Sequence, residues 1–286
     1  MIQKLPAPEL LFRSEAHTGE GPVWSNGNII WVDIYAGKIH TTNAMTGKTS
    51  TITLDAVVGA VVEIENSDEF IMAMQEGFAI VKGSSMKVID KVLDSKTHLM
   101  NDGKCDALGR FWAGSYEKNC TKGMGALHLL TGPGPSVIVA DGFASPNGIG
   151  WTLDNKTMFF VDSLAHQVYR TEFELMEARI GKFELFAKVN FGLPDGIAVD
   201  VDGCIWVAVW GGSKVVRISP QGEIIAEIAT PVSQPSSCAF GPDGTLYITS
   251  ATSGLSESDL SNQPLAGSLF AVPTNTQGVP VSKFRL

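Results

Sequence analysis

The chain has 286 residues, of which 44% are hydrophobic and 18% are charged, and it carries a formal net charge of −9 at pH 7. An acidic surface does not attract nucleic acid or an anionic membrane, so the charge excludes both as expected partners. With 30 Gly and 14 Pro between short apolar runs, the composition is typical of an all-β globular protein rather than a disordered chain.

The sequence shows no strong signal for membrane insertion, secretion or cysteine-based chemistry. No apolar run approaches the roughly 20 residues of a membrane-spanning helix, and MIQKLPAPELL at the N-terminus lacks the apolar core of a signal peptide. The four cysteines are far apart and form no C-x-x-C pair, which predicts buried reduced thiols rather than a thiolate zinc site or a redox pair. We therefore expect a cytoplasmic protein.

A hairpin-like unit recurs along the chain. It is clearest in LPDGIAVDVDGCIWVAV at 193–209, where Asp202-Gly203 marks a turn between two apolar runs. The second runs of six such units begin near Ile30, Phe70, Phe111, Met158, Ile205 and Leu246. Their spacing of about 40 to 48 residues is typical of four-stranded propeller blades, and a further polar hairpin follows each unit. The sequence therefore predicts an all-β, six-bladed β-propeller with four-stranded antiparallel blades, in a single domain over 1–286.

Two segments need a separate interpretation. Phe173–Arg179 has helix-forming composition, but it lies between two strand-like runs, so we expect an extended hairpin loop. Because a propeller must close on itself, we expect the N-terminal residues to complete a blade begun at the C-terminus. The predicted closing pair is Val279–Phe284 beside Leu10–Ser14.

Equivalent positions at the start of the innermost strands should surround one point on the propeller axis. Roughly ten residues before each second strand, the six repeats place Glu20, Gly59 or Ala60, Asn101, Asn147, Asp195 and Ser236. Pro-Asn-Gly and Pro-Asp-Gly are also ordinary turn peptides, so each alone has a purely structural alternative. Turns do not favour glutamate, so a turn does not explain Glu20 in Gly-Glu-Gly-Pro. Carboxylate and carboxamide oxygens at one phase of the repeat favour a site for Ca²⁺, Mg²⁺ or Mn²⁺, and carboxylates also bind Zn²⁺.

Four motifs resemble, in order and spacing, the senescence marker protein, gluconolactonase and luciferin-regenerating enzyme (regucalcin-like) family: GEGPVW, NDGKCDALGRFWAGS, PNGIGW and LPDGIAVDVDGCIWVA. The resemblance covers essentially the whole chain. It implies a six-bladed propeller with one divalent metal, Ca²⁺ or Zn²⁺ first and Mg²⁺, Mn²⁺ or Fe²⁺ as alternatives, and lactonase activity on sugar lactones in carbohydrate metabolism. It further implies that Glu20, Asn147 and Asp195 bind the metal, that Asn101 lies beside it near the substrate, and that Asp195 is the catalytic carboxylate.

The chain departs from the family pattern at two substrate positions. Leu99 stands where the family often has an arginine two residues before the Asn of NDG. A loop acid of some members aligns with Asn119, and Glu117 is near enough in sequence to replace it. His17, on an expected rim loop, has two interpretations, a substrate contact or an exposed polar residue.

The predicted chemistry is hydrolysis of a cyclic ester to a hydroxy acid without a Ser or Cys nucleophile. The metal would polarise the lactone carbonyl, Asp195 would take a proton from water, and Asn101 would donate a hydrogen bond. Asp102 should point away from Asn101 on an alternating strand and is expected to be structural, with support of a metal ligand as the alternative. The alternatives are a non-catalytic propeller that binds calcium or a protein partner, and a related hydrolase acting on phosphoesters. We expect a monomer or a weak homodimer.

Overall fold

The computed structural model describes residues 2–286, and within them β-strands are joined by turns and by one short helix, α1 (Glu257–Asn262). Two N-terminal strands, β1 (Gln3–Lys4) and β2 (Glu9–Phe12), precede six sheets. The second strands of these sheets begin at Asn28, Phe70, Phe111, Thr157, Ile205 and Thr245, within two residues of the predicted positions. The prediction of a six-bladed propeller is confirmed.

Blades 1 to 3 follow one another along the chain, and each is given from the channel outward. Blade 1 contains β3 (Gly19–Ser25), β4 (Asn28–Asp33), β5 (Lys38–Asn43) and β6 (Thr49–Thr53). Blade 2 contains β7 (Val58–Glu63), β8 (Phe70–Met74), β9 (Gly77–Lys82) and β10 (Ser85–Lys91). Blade 3 contains β11 (His98–Cys105), β12 (Phe111–Glu117), β13 (Gly125–Leu130) and β14 (Val137–Phe143).

Blades 4 to 6 complete the ring. Blade 4 contains β15 (Pro146–Trp151), β16 (Thr157–Asp162), β17 (Gln167–Glu174) and β19 (Glu184–Lys188), and the short β18 (Arg179–Ile180) extends β17 as the hairpin expected there. Blade 5 contains β20 (Leu193–Val199), β21 (Ile205–Trp210), β22 (Lys214–Ile218) and β23 (Ile224–Ala229), with β1 parallel at its edge. Blade 6 contains β24 (Pro235–Phe240), β25 (Thr245–Ser250), β26 (Leu269–Pro273) and β2.

The N-terminal strand closes the propeller, as expected, but with a different partner. Strand β2 pairs with β26, and Leu10 lies opposite Phe270. The prediction that Val279–Phe284 forms the closing strand is wrong. Pro280 has no N–H to donate to a ladder, and β26 already presents the apolar edge that blade 6 needs.

The C-terminal segment instead crosses the end of the channel opposite the predicted site. The Val279 N–H donates to the Val199 carbonyl in blade 5 at 2.8 Å, and the Phe284 N–H donates to the Glu63 carbonyl in blade 2 at 2.9 Å. The Phe284 ring is fully buried in the cluster between blades 2 and 3. The segment therefore ties distant blades together at the base of the ring.

The hydrophobic core is divided into clusters that lie between adjacent blades. The innermost strands also contact one another in a closed cycle, β3, β7, β11, β15, β20, β24 and back to β3. The cysteines are unpaired, as expected, although Cys120 is only half-buried. No helix within residues 2–286 has the length and apolarity required to cross a bilayer.

Two buried aspartates organise the hairpins at the base of blades 3 and 5. Asp200 accepts the Trp206 indole N–H at 2.9 Å and the Arg217 Nε–H at 2.8 Å, and it also accepts the N–H groups of its own turn. Asp106 accepts in the same way from Trp112 and Arg110. A fully buried carboxylate is tolerated here because every lone pair direction meets a donor.

We predict that Asp200→Ala lowers the free energy of unfolding by about 3–5 kcal/mol, because it leaves the buried Trp206 indole N–H without its acceptor and breaks the buried ion pair to Arg217. Urea unfolding followed by fluorescence measures the change. The matched control is Asp202→Ala, which removes an ion pair to the same Arg217 from a side chain that is 61% exposed, and should change the value by less than about 1 kcal/mol. Equal losses in the two variants would contradict this account.

Candidate metal and lactone site

Each innermost strand has an irregular register near its start. In blade 5, two residues of β20, Asp195 and Gly196, lie opposite the single residue Ala208 of β21. The other innermost strands shift register at the equivalent place. Bulges redirect side chains and interrupt the alternation of a strand. The irregular region contains Asn101, Asn147 and Asp195, whereas Glu20 lies one residue before the bulge of β3.

The glycines after Asn147 and Asp195 lie inside strands rather than in turns. A Cβ on Gly148 would lie 2.6 Å from the Asp195 carbonyl oxygen, and a Cβ on Gly196 would overlap the Ser237 side chain. Glycine is needed at both positions because the next blade's backbone approaches so closely. The turn interpretation of Pro-Asn-Gly and Pro-Asp-Gly is therefore wrong, and both peptides position the ring around the axis.

Glu20 and Asn147 each present a buried oxygen that has no hydrogen-bond partner. The Gly21 N–H donates to one carboxylate oxygen of Glu20, and the other, Oε1, is unpaired. The Asn147 amide donates to the Ser163 hydroxyl at 3.2 Å, which leaves Oδ1 unpaired. Buried polar atoms without partners are rare in folded proteins, and these two come from opposite parts of the ring.

The ring concentrates negative charge in a buried space. Burial raises the pKa of Glu20 well above its ordinary value, and the nearby carboxylates of Asp195 and Asp102 raise it further. Burial and Asp102 likewise raise the pKa of Asp195, while a hydrogen bond from Asn147 lowers it. Like charges in a desolvated site disfavour ionisation, so a positively charged ligand would favour the ionised form of both carboxyl groups.

Asn101 and Ser236 complete the ring in different ways. The Asn101 amide donates to the Pro146 carbonyl at 2.7 Å, which holds blade 3 against the strand that carries Asn147. The Ser236 hydroxyl lies within hydrogen-bonding distance of the Gly19 carbonyl and of Thr249 Oγ1, so it serves to join blades 6 and 1. Gly59 of blade 2 offers no side chain at all.

The expectation that Asp102 points away from the site is wrong. Its side chain is buried, and its charge raises the pKa values of both Glu20 and Asp195, so the Asp102 carboxylate lies near these two residues of the ring. The register shift between Met100 and Gly103 breaks the alternation on which the expectation depended. Lys104 lies on the same strand, donates to the Ile197 carbonyl at 2.7 Å, and partly offsets the charge of Asp102.

These residues fit a divalent cation. Two carboxylates and one carboxamide provide hard oxygen ligands, and the unpaired Glu20 and Asn147 oxygens are acceptors that need a positive partner. Within residues 2–286, no group of three or more His, Cys, Asp or Glu side chains has the spacing of a metal site. The ring differs from such groups because one of its three oxygen donors is an amide.

Two predicted substrate residues lie on the rim between blades 1 and 3. The His17 side chain is exposed, contacts the Thr18 hydroxyl at 3.0 Å and meets the Tyr35 ring edge-on, with centroids 5.1 Å apart. Leu99 is 4% exposed and lies opposite Tyr116 in the β11–β12 ladder. Neither tyrosine belongs to the repeated motif, so the sequence pattern contains no signal for either of them.

The other two predicted substrate residues interact with each other. The Glu117 carboxylate accepts the Asn119 side-chain amide at 2.8 Å and the Thr121 hydroxyl at 2.8 Å. These hydrogen bonds lower the pKa of Glu117. Glu117 thus holds the loop that carries Asn119, and substrate binding by either residue stays a prediction.

Known proteins resemble this chain over nearly its whole length. YvrE of Bacillus subtilis, whose name proposes a sugar lactone lactonase, is 33% identical over 275 residues, covering 93% of this chain and 94% of that protein. Regucalcin of Gallus gallus is 31% identical over 285 residues, with the same coverage of 93% and 94%. A crystal structure of a calcium-binding protein, regucalcin from Agrobacterium tumefaciens, superposes with a TM-score of 0.93 at 25% identity, covering 100% of both chains.

The family comparison agrees with the motifs and with the geometry of the ring. The family described as SMP-30/Gluconolactonase/LRE-like region matches residues 18–252, which include every residue of the ring. The resemblance drawn from the four motifs is confirmed, and with it the assignment to a family of lactone-hydrolysing enzymes. The chain belongs to the SMP-30/gluconolactonase/LRE-like family.

Proposed function

We propose that this protein is a divalent-cation-dependent lactonase that hydrolyses a sugar lactone to the open hydroxy acid. One observation carries the proposal: Glu20 and Asn147 present unpaired buried oxygens beside the Asp195 carboxylate, in a ring of excess negative charge. Such an arrangement is costly without a cation. The related sugar lactone lactonase and the calcium-binding relative agree with both parts of the proposal.

Glu20, Asn147 and Asp195 would hold the cation through their side-chain oxygens. When bound, a divalent ion supplies Lewis-acid polarisation of the lactone carbonyl and stabilises negative charge that develops on its oxygen. Ca²⁺ fits a set of oxygen ligands, and the calcium-binding relative agrees with it; the family resemblance adds Zn²⁺, and Mg²⁺, Mn²⁺ or Fe²⁺ are the alternatives.

Asp195 has two carboxylate oxygens, and one of them would act as the general base. It accepts a proton from the attacking water while the water oxygen bonds to the lactone carbonyl carbon. The ring C–O bond then breaks, and the proton returns to the leaving alkoxide to give the hydroxyl of the product. Burial, and after it the negative charge of Asp102, raises the pKa of Asp195 and so makes it a stronger proton acceptor.

Asn101 orients the substrate in this proposal. One of its amide hydrogens is donated to the Pro146 carbonyl, and the second remains to donate to the carbonyl or ring oxygen of the lactone. The anchored amide cannot rotate freely, so the second donor has a fixed direction. Preorganised donors of this kind contribute to catalysis because they need no reorientation during the reaction.

A non-catalytic cation-binding propeller is the second candidate. It is favoured by the Agrobacterium relative, which is described as calcium-binding. It predicts a bound cation with no lactone turnover, whereas the lactonase proposal predicts both.

The first test is the activity of Asp195→Asn. We expect the wild type to hydrolyse D-glucono-1,5-lactone only with a divalent cation, and the variant to lose about 10²–10⁴ in kcat, because an amide keeps a ligand oxygen but cannot accept the proton. A pH-indicator assay measures both. The matched control, Asp243→Asn, changes an exposed hairpin aspartate and should retain wild-type kinetics. Full cation-dependent activity in Asp195→Asn would exclude it as the base.

The second test is the pH dependence of cation-induced stabilisation. Because the pKa values of Glu20 and Asp195 are raised in the folded protein, the cation-free fold binds protons more tightly than the unfolded chain and loses stability as pH rises. A cation replaces those protons. We therefore expect the cation to raise Tm more at about pH 7.5 than at about pH 5.5.

Comparing Tm with and without cation at each pH cancels the effect of groups that titrate outside the ring. Burial lowers the pKa values of His40 and His128 to about 4, which destabilises the fold at acid pH in both samples. Glu20→Gln should shrink the cation-induced shift at both pH values, and Glu177→Gln, at an exposed ion pair with Arg179, should not. A shift that is independent of pH, or unchanged in Glu20→Gln, would place the cation elsewhere.

A further inference from the structure

The channel mouth is not equally filled around the ring. Blades 1, 3, 4 and 5 direct polar side chains to the axis, but blade 2 contributes only Gly59 and Ala60. A Cβ on Gly59 would lie 2.5 Å from the Asn101 carbonyl oxygen, so the close approach of blades 2 and 3 requires glycine there. The sector above blade 2 is therefore free of ring side chains.

A cleft occupies that sector on the same face of the propeller. Its volume is about 450 Å³, and its lining includes Tyr35, Asp55, Val57, Gln75, Leu99 and Lys118. This volume is within the range of small-molecule sites. Leu99 lies two residues before Asn101, so the cleft adjoins the proposed position of the lactone.

A pair of tyrosines joins blade 1 to blade 3 at the edge of the cleft, and Tyr35 of this pair lines the cleft. The Tyr35 and Tyr116 hydroxyl oxygens are 3.0 Å apart, although the residues are 81 positions apart in the chain. Tyr116 lies opposite Leu99 in the β11–β12 ladder, and the His17 ring contacts the Tyr35 ring edge-on. We refer to Tyr35 and Tyr116 as the tyrosine bridge.

The tyrosine bridge has hydrogen-bonding capacity to spare. One hydroxyl donates to the other, which leaves one O–H donor and free oxygen lone pairs for a ligand. Burial raises the pKa of Tyr116, so its hydroxyl stays neutral and keeps its proton. The Tyr35 ring adds an apolar surface to the lining that also contains Leu99, and the opposite charges of Asp55 and Lys118 leave the lining without a net charge.

We propose that the tyrosine bridge is the specificity element for the part of the lactone remote from the ester, whose hydroxyl groups it binds in the cleft above blade 2. The inference rests on the proposed lactonase function. Leu99 offers no charged group to the substrate, and the bridge supplies neutral donors and acceptors in the same place. Its hydroxyls should therefore affect substrates that carry hydroxyl substituents and leave unsubstituted lactones unaffected.

The test compares two lactones with the same six-membered ring. D-glucono-1,5-lactone carries hydroxyl substituents, and δ-valerolactone carries none. For Tyr35→Phe and Tyr116→Phe we expect kcat/KM on gluconolactone to fall about 3- to 10-fold, through KM, with δ-valerolactone unchanged. The double variant should lose little more than the worse single variant, because the two hydroxyls act as one unit.

The matched control is Tyr169→Phe, which removes a hydroxyl that donates to Gln167 in blade 4, outside the cleft. It should leave both substrates unaffected. Equal losses on both lactones in the bridge variants, or no loss on either, would overturn the inference while leaving the lactonase proposal intact. The inference would also be overturned if Lys118→Met lost the preference for hydroxylated lactones while both bridge variants kept it.

Failure of the proposed function has a different signature. If the wild type with cation hydrolyses neither lactone, calorimetric titration with sodium gluconate tests the cleft without turnover. Weaker gluconate binding in both bridge variants, with Tyr169→Phe unchanged, would support the bridge as a ligand site. Equal gluconate binding in all four proteins, or no binding at all, would overturn the inference together with the function.

Discussion

The close approach of the innermost strands around the channel is the constraint on which the rest of the structure depends. Gly148 and Gly196 allow one blade's backbone to contact the next, and Gly59 does the same between blades 2 and 3. With a Cβ at these positions, the strands would have to move apart. The ring of side chains would then be too wide to share a single ligand, so backbone packing sets the geometry of the proposed site.

Close approach also creates an electrostatic problem that a cation would relieve. Glu20, Asp195 and Asp102 are carboxylates in one buried space, and Lys104 offsets only part of their charge. Stability is supplied elsewhere, by the clusters between blades and by the Asp200 network at the opposite end of the ring. The Asp200 network is thus satisfied in its hydrogen bonds, while the ring at the other end retains unpaired acceptors for a ligand.

Much of this arrangement was predictable because the fold is repetitive. The phase of the turn-and-strand signature located the second strands, and the same phase located Glu20, Asn101, Asn147 and Asp195. The errors arose where the repeat stops applying. The N-terminal strand β2 could pair with Val279–Phe284 or with β26, and no local sequence pattern distinguishes the two partners. The predicted direction of the Asp102 side chain was wrong because strand alternation fails at a bulge.

The rim was least predictable, since it is built from unrepeated residues. Tyr35 and Tyr116 meet across 81 positions of sequence, and helix α1 lies in the connection between β25 and β26, outside the repeated strands. In the proposed function, rim residues would determine which substrate fits, whereas ring residues would determine which chemistry is possible. The repeated motifs contain only the ring residues, so they indicate the family and not its substrate.

The most direct measurement is an anomalous difference map from crystals grown with calcium chloride. The account predicts one strong peak on the propeller axis, within about 2.3–2.6 Å of the Glu20, Asn147 and Asp195 side-chain oxygens. An axis without a peak, or a peak bound by other residues with Glu20 and Asn147 still unpaired, would contradict it.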